Sequence, residues 1–233
     1  MCMSFQELTT EHQLSGIKQA TSATTYTAGH LWPYQLILHL LRKAIDRGVN
    51  LQTHTPVHSV SSERDADSLW TLSTPRGDVK AKTVVYASNG YTAGLLSELK
   101  DKIVPVRGLC CRIVTPKTRA PLLSNSYVLR FNDWEYDYLI PRTDGSIVVG
   151  GARRDYHMDL DEWFGNHDDS KLIEPAKDYF DGYMQRHFHG WEDSEAYTES
   201  IWTGSKSTQL PLQPDEPSDD AKSWATPPMA FPS

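Results

Sequence analysis

A β-branched run that ends abruptly in small residues places the strongest limit on what this chain can fold into. Residues 83–86 (Thr-Val-Val-Tyr) favour a buried strand, and residues 87–90 (Ala-Ser-Asn-Gly) follow at once. Small side chains and a glycine let the backbone approach another group closely. Residues 91–100 then predict a short helix. A strand, a turn of small residues and a helix, in this order, are how α/β proteins present backbone N–H groups to a phosphate or a flat cofactor. A tight strand-to-helix connection that binds no ligand has the same pattern.

A second α/β unit lies earlier in the chain. Apolar residues recur at three- and four-residue spacing after Pro33, which suits the first turn of a helix, and Gly48 suits its end. The stripe consists of Leu36, Ile37, Leu40, Leu41, Ala44 and Ile45. We expect it to face a core. Residues 49–53 then predict a strand, which gives a helix-glycine-strand unit of the doubly wound kind.

The other predicted elements are mostly antiparallel strands. Period-two alternation and turn residues indicate a small antiparallel meander over residues 55–60 and 70–74, and residues 79–86 predict a strand that re-enters the main sheet. Longer strands are predicted at 104–114, 127–131, 136–140 and 147–152, with an Asp-Gly hairpin at 144–145. A helix is expected over 171–188, with Leu172, Ala176, Tyr179, Phe180, Tyr183 and Met184 on its buried side, and a last strand over 196–203.

Composition narrows the class of protein. With 233 residues and 39% hydrophobic content, the chain can form one large domain or two small ones. A net charge of −7 argues against a general nucleic-acid partner. The sequence has no apolar run of transmembrane length and no signal-peptide pattern, so we expect no membrane partner and a cytoplasmic location. The three cysteines lack zinc or redox spacing, and the neighbours Cys110 and Cys111 point to opposite faces of their strand.

The sequence predicts no metal site and does not single out an arginine for a substrate carboxylate. His187 and His189 lie at a predicted helix end without a third ligand, and the acidic residues between 159 and 169 lack the order of a calcium loop, so no metal site is predicted. Four arginines could meet a substrate carboxylate, and the sequence favours none of them: Arg107, Arg142, Arg153 and Arg154.

Five segments, in this order, resemble the FAD-dependent oxidoreductase family that contains D-amino-acid oxidase, glycine oxidase and sarcosine oxidase, with fungal members the most similar. They are GHLWPYQLILHLLRKAIDRGVNLQTHTPVHSV, TPRGDVKAKTVVYASNGYT, PVRG, YLIPRTDGSIVVGGAR and IWTG, within residues 17–204. The resemblance implies an α/β (α+β) fold, in which a partial FAD-binding dinucleotide fold joins a substrate domain with an antiparallel sheet. It also implies FAD as the cofactor and a small amine or amino acid as the substrate.

The resemblance also implies roles for six residues. Val57 matches the valine whose backbone holds the adenine, and Tyr138 matches a strand position that presents a tyrosine to the substrate. A turn that packs against the diphosphate and ribitol of FAD corresponds to Ala87, Ser88, Asn89 and Gly90. For each residue, an ordinary role in the core or in a turn is the alternative.

Two departures from the family pattern set further expectations. The 233 residues contain no GxGxxG motif, so we expect the N-terminal nucleotide-binding unit to be absent. Residues 226–232 (Thr-Pro-Pro-Met-Ala-Phe-Pro) stand where the family has a segment of the type Tyr-Ser-Thr-Asp-Gly-Phe-Pro. Codons for the residues found here, read one nucleotide earlier, permit that family segment. Residues 205–233 are therefore predicted to be a disordered, out-of-frame or intron-derived tail.

The predicted organisation has four parts. Residues 1–16 form a polar tail, 17–100 a remnant of the FAD-binding domain, 101–204 the substrate domain, and 205–233 the disordered tail. The predicted function is an FAD-dependent oxidoreductase with weak or no activity as this chain. The alternative is a non-catalytic fragment or interaction module that retains the substrate sheet.

Overall fold

The computed structural model describes residues 15–116 and 120–209, excepting the side chain of residue 209. These residues divide into two compact units. We call residues 29–105 with 207–209 the helical unit, and residues 15–28 with 106–206 the sheet unit. The predicted boundaries at residues 16 and 204 remain predictions. The polar tail predicted for residues 1–14 and the disorder predicted for residues 210–233 lie outside the described part of the chain.

The helical unit contains one long helix and one small sheet. Helix α1 (Pro33–Asp46) begins at the predicted proline, and Gly48 follows it with a φ of +92°. Strands β1 (Ser59–Val60), β2 (Trp70–Ser73) and β3 (Val79–Ala81) form an antiparallel sheet in the order β1-β2-β3. The predicted helix and the predicted meander are therefore confirmed. Residues 79–81 pair with β2 in this small sheet, so the prediction that the strand from residue 79 re-enters the main sheet is wrong.

Three predicted elements of this unit are wrong. Residues 49–53 and 83–86 are described, and neither run forms a strand. A strand requires a hydrogen-bonded neighbour, and β-branched composition alone does not provide one. Residues 91–100 form no α-helix; two 3₁₀ helices, Asn89–Gly94 and Ser97–Leu99, occupy this region.

The expectation that α1 faces a core is also wrong. No residue of α1 is buried, and Leu40, in the middle of the predicted apolar stripe, remains 50% exposed. Local factors account for the helix itself, because Pro33 starts it and the N–H groups of Arg47 and Gly48 donate to the carbonyls of Ala44 and Ile45. The helix therefore gains little of its stability from tertiary packing.

Alanine substitutions of two leucines should show this difference. We expect Leu40→Ala to lower the free energy of unfolding by at most about 1 kcal/mol, because much of that side chain is already in water. Leu139→Ala should cost about 2–5 kcal/mol, because Leu139 is 0% exposed in the sheet unit. Chemical denaturation, read from the transition of each unit, measures both values. Equal losses would contradict the exposure of α1.

The sheet unit is built on a five-stranded sheet. Its strands are β4 (Ile103–Val114), β5 (Tyr127–Arg130), β6 (Tyr136–Pro141), β7 (Ile147–Gly151) and β8 (Tyr197–Gln209), in the order β5-β6-β7-β4-β8. The β5–β6, β6–β7 and β4–β7 pairs are antiparallel. All five predicted strands and the predicted α/β class with an antiparallel sheet are confirmed. Strand β8 reaches Gln209, so the disorder predicted from residue 205 is wrong for residues 205–209.

One face of this sheet carries the main hydrophobic core. Leu109, Cys111 and Val149 are fully or almost fully buried there, together with aromatic residues of the segment 173–191. That segment contains a 3₁₀ helix (Glu174–Ala176) and α4 (Tyr183–His187), and it follows the short helices α2 (Arg153–Tyr156) and α3 (Leu160–Trp163).

The continuous helix predicted over residues 171–188 is wrong. Gly182 has a left-handed φ of +61° immediately before α4, which breaks any helix that would run through it. The predicted buried side is nevertheless confirmed. Leu172 is partly buried, and the other five members are buried: Ala176, Tyr179, Phe180, Tyr183 and Met184. Apolar spacing therefore predicted burial correctly where it predicted helix continuity wrongly.

Candidate functional site

Tyr138 lies across the sheet face opposite the core. Tyr138 of β6 pairs with Gly150 of β7, which in turn pairs with Cys110 of β4. A Cβ atom added to Gly150 would lie 2.2 Å from Cζ of Tyr138. The Tyr138 hydroxyl is 3.1 Å from Sγ of Cys110, two strands away, and Tyr138 remains 38% exposed. The ring therefore lies over Gly150, with its polar end at the thiol.

An ordinary phenol and an ordinary thiol are both uncharged at neutral pH. Burial raises the pKa of the Cys110 thiol, and it raises the pKa of the Tyr138 phenol far above its ordinary value. Cys111, the neighbour of Cys110, is 0% exposed in the core on the other face, as the alternation of the strand predicted. At neutral pH the site thus offers a neutral phenol and a neutral thiol on an accessible sheet face.

A buried carboxylate lies directly behind this pair. Asp137 is 0% exposed, and it accepts hydrogen bonds from the hydroxyls of Tyr179 (2.6 Å) and Tyr183 (2.8 Å) and from the N–H of Ala152 (3.0 Å). A Cβ atom added to Gly151 would lie 1.7 Å from Oδ1 of Asp137. Desolvation raises the pKa of this carboxyl, and the three donors partly oppose that effect.

Asp137 was not identified from the sequence. The available signal is a charged residue at an inward position of an alternating strand, combined with two glycines on the strand beside it. Because it ties β6 to the segment that carries Tyr179 and Tyr183, this carboxylate fixes the strand from which Tyr138 projects.

The predicted cofactor turn is held by its own side chains. Asn89 has a left-handed φ of +49°, and its Oδ1 accepts hydrogen bonds from the N–H (2.9 Å) and the hydroxyl (2.6 Å) of Ser207. The Ser88 and Thr92 hydroxyls are 3.0 Å apart, and Thr92 also donates to the carbonyl of Asn89 at 2.8 Å. Ala87 is exposed, whereas Gly90 is buried. The turn thus presents a small, ordered surface, and it opens a 3₁₀ helix.

The structure divides the six predicted site residues between its units. Val57, half-buried just before β1, belongs to the helical unit, as does the turn of Ala87, Ser88, Asn89 and Gly90. Tyr138 belongs to the sheet unit. Tyr138 lies on a predicted strand, whereas Val57 lies just before β1 and the turn at residues 87–90 lacks the strand and the α-helix predicted on either side. The assigned roles remain predictions.

The four candidate arginines all contact other parts of the chain. Arg107 is 5% exposed and donates to the carbonyl of Lys171 at 2.5 Å, and Arg142 lies 3.8 Å from a carboxylate oxygen of Asp144. The guanidinium groups of Arg153 and Arg154 lie over the rings of Trp163 and Tyr179, respectively. Each of these four side chains is therefore already engaged within the chain.

Among the described residues, no group of three histidine, cysteine or acidic side chains could hold a metal ion. No helix among them is both long enough and apolar enough to cross a membrane.

The chain is similar to known proteins named glycine oxidase and L-proline dehydrogenase. The chain is 28% identical over 114 residues to glycine oxidase of Pseudomonas aeruginosa, covering 48% of this chain and 29% of that protein. Glycine oxidase from Geobacillus kaustophilus superposes with a TM-score of 0.56 at 20% identity, over 76% of this chain and 43% of that one. L-proline dehydrogenase from P. horikoshii superposes with a TM-score of 0.52 at 18% identity, over 74% of this chain and 43% of that one.

At 20% and 18% sequence identity, the two solved structures show that the chain shares their fold and nothing more. The chain spans less than half the length of each relative. The family model described as DAO, FAD dependent oxidoreductase, matches residues 6–221. The chain therefore belongs to the DAO family of FAD-dependent oxidoreductases.

Proposed function

We propose that this chain provides the substrate-facing sheet and part of the FAD-binding surface of an oxidoreductase that oxidises a small amine or amino acid. The observation that carries the proposal is the pose of Tyr138, whose neutral hydroxyl lies on the accessible sheet face beside Cys110. The glycine oxidases and the L-proline dehydrogenase in the comparisons act, by their names, on small amino acids.

The residues present fit one part of FAD. A turn of small side chains with exposed Ala87 suits the close approach of a flat group to the backbone, and Val57 is only half-buried. The diphosphate usually requires a glycine-rich turn at a helix N-terminus, and the 233 residues contain no GxGxxG motif. We therefore assign Val57 to the adenine and residues 87–90 to the diphosphate and ribitol, where this turn would supply only part of the contacts that a GxGxxG turn provides.

The chain's own residues would bind and orient the substrate. Bound FAD supplies the acceptor for the hydride equivalent that leaves the carbon bearing the amine. Tyr138 is protonated at neutral pH, as an ordinary phenol is, and burial raises its pKa further, so it acts as a hydrogen-bond donor rather than a base. Its O–H can donate to a substrate carboxylate, and its lone pairs can accept an amine N–H.

Anaerobic flavin reduction tests this role. With FAD and an excess of glycine or proline, we expect the full chain to lose its oxidised-flavin absorbance. Tyr138→Phe should slow this loss by about ten- to a hundredfold, because it keeps the ring and removes the hydroxyl that orients the substrate. Tyr136→Phe is the matched control, two residues earlier on the same strand, and should change the rate less than about twofold. Equal rates in both variants would contradict the assignment of Tyr138.

A second function is favoured by one observation. The exposed apolar stripe of α1 is what a non-catalytic interaction module would present to a partner. If the chain binds FAD and no amine or amino acid reduces it, while a hydrophobic dye binds strongly, this second function replaces the first.

A further inference from the structure

The pose of Tyr138 depends on two neighbours that the proposed function does not use. Side chains in a sheet usually stand roughly perpendicular to it, whereas Tyr138 lies down across β7. Gly150 gives the ring its room, because any side chain there would overlap it. Cys110 meets the hydroxyl at the far end of the ring. Each neighbour controls a different part of the pose.

The thiol can hold the phenol oxygen with or without a substrate. A hydroxyl and a thiol can each donate one hydrogen bond and accept others, and both groups are protonated at neutral pH, since burial raises pKa values that already lie above 7. Without a substrate, either group can donate to the other across 3.1 Å. When a substrate oxygen accepts the Tyr138 O–H, the thiol can donate its S–H to the phenol oxygen. The oxygen therefore keeps the same partner in both states.

We propose that Cys110 is a positioning residue for Tyr138, which holds the phenol oxygen over β7 and leaves its O–H directed at the substrate. The inference deepens the proposed function and rests on the assigned role of Tyr138. The contrast with Cys111 supports it, because that thiol lies in the core, whereas Cys110 lies beside a polar group on the accessible face.

Thiol alkylation tests the contact from the side of the cysteine. In a Cys2→Ser background, where buried Cys111 is the only other thiol, Tyr138→Phe should slow alkylation of Cys110 about three- to tenfold at a fixed pH below its midpoint. The direction follows because the hydrogen bond from Tyr138 lowers the pKa of this thiol, so its loss reduces the thiolate fraction. Tyr136→Phe is the control and should leave the rate unchanged.

Nuclear magnetic resonance tests the contact from the side of the tyrosine. With tyrosines labelled at Cζ, Cys110→Ala should move the Tyr138 resonance, and Cys110→Ser, which keeps a hydrogen-bonding group, should restore it. Gly150→Ala should also move the resonance, because the new Cβ displaces the ring. Gly108→Ala should not, since a Cβ at Gly108, two residues before Cys110 on β4, meets nothing within 4 Å.

Two outcomes would overturn the proposal. An alkylation rate unchanged by Tyr138→Phe, with a Tyr138 resonance unchanged by Cys110→Ala, would show that the contact does not form. A resonance that Cys110→Ala moves and Cys110→Ser fails to restore would show that the thiol only fills space. Neither measurement uses flavin or turnover, so failure here is separate from failure of the proposed oxidation.

Discussion

Replacing Asp137 with alanine is expected to lower the free energy of unfolding of the sheet unit by about 3–5 kcal/mol. The substitution leaves the hydroxyls of Tyr179 and Tyr183 and the N–H of Ala152 buried without their acceptor. A buried donor that loses its partner bears its full desolvation cost, and three donors converge on this one carboxylate. Urea or guanidinium denaturation of the variant measures the loss.

The control for this substitution is Asp133→Ala. Asp133 lies in the loop before β6, its side chain is fully exposed, and we expect a change below about 0.5 kcal/mol. Tyr179→Phe and Tyr183→Phe each remove one donor to Asp137 and should cost about 1–2 kcal/mol. A loss for Asp137→Ala no larger than that for Asp133→Ala would show that the network does not stabilise the sheet unit.

Acidification should destabilise the sheet unit through His187. Burial, and then the positive charges of Arg186, Arg154 and Lys18, lower the pKa of this imidazole from 6.5 to about 4. Above pH 6.5 the side chain is neutral in both states and contributes nothing to the pH dependence. As the pH falls from 6.5 to about 4, the unfolded chain takes up the proton first, so stability is lost. The full loss is at most about 3 kcal/mol, because solvent around this partly exposed ring screens the charge.

His187→Phe should remove this pH dependence. Phenylalanine keeps a ring against Tyr183 and Phe131, whose centroids lie 4.5 and 5.6 Å from that of His187. The control His189→Gln changes an exposed histidine two residues later and should leave the dependence as in the parent chain. The measurement is the unfolding free energy at several pH values. A parallel loss of stability in His187→Phe and the parent would contradict this assignment.

Short-range patterns predicted most of the sheet unit. Alternation along residues 104–114 placed Cys110 and Cys111 on opposite faces of the strand, and the Asp-Gly pair at 144–145 placed the β6–β7 hairpin. Three- and four-residue spacing identified the buried side of residues 172–184. These features follow from which face of an element meets the core, and a single segment contains that information.

Features that depend on a distant partner were predicted poorly. Residues 49–53 and 83–86 have strand composition, yet a strand also needs a neighbour that composition does not identify. The helix expected over 171–188 is interrupted at Gly182, which adopts a left-handed backbone there. The contacts of Asp137 with Tyr179 and Tyr183 span 42 and 46 residues, and that of Tyr138 with Cys110 spans 28, so no local pattern predicts them.

An FAD titration of the full chain, followed by flavin fluorescence, tests the central claim most directly. If the turn at residues 87–90 contacts FAD, binding is saturable, and Ala87→Asp weakens it at least about tenfold by placing a negative charge beside an anionic cofactor. Ser97→Asp adds the same charge at another exposed position of the helical unit and should leave the affinity within about twofold. Non-saturable binding, or equal weakening by both substitutions, would contradict the account.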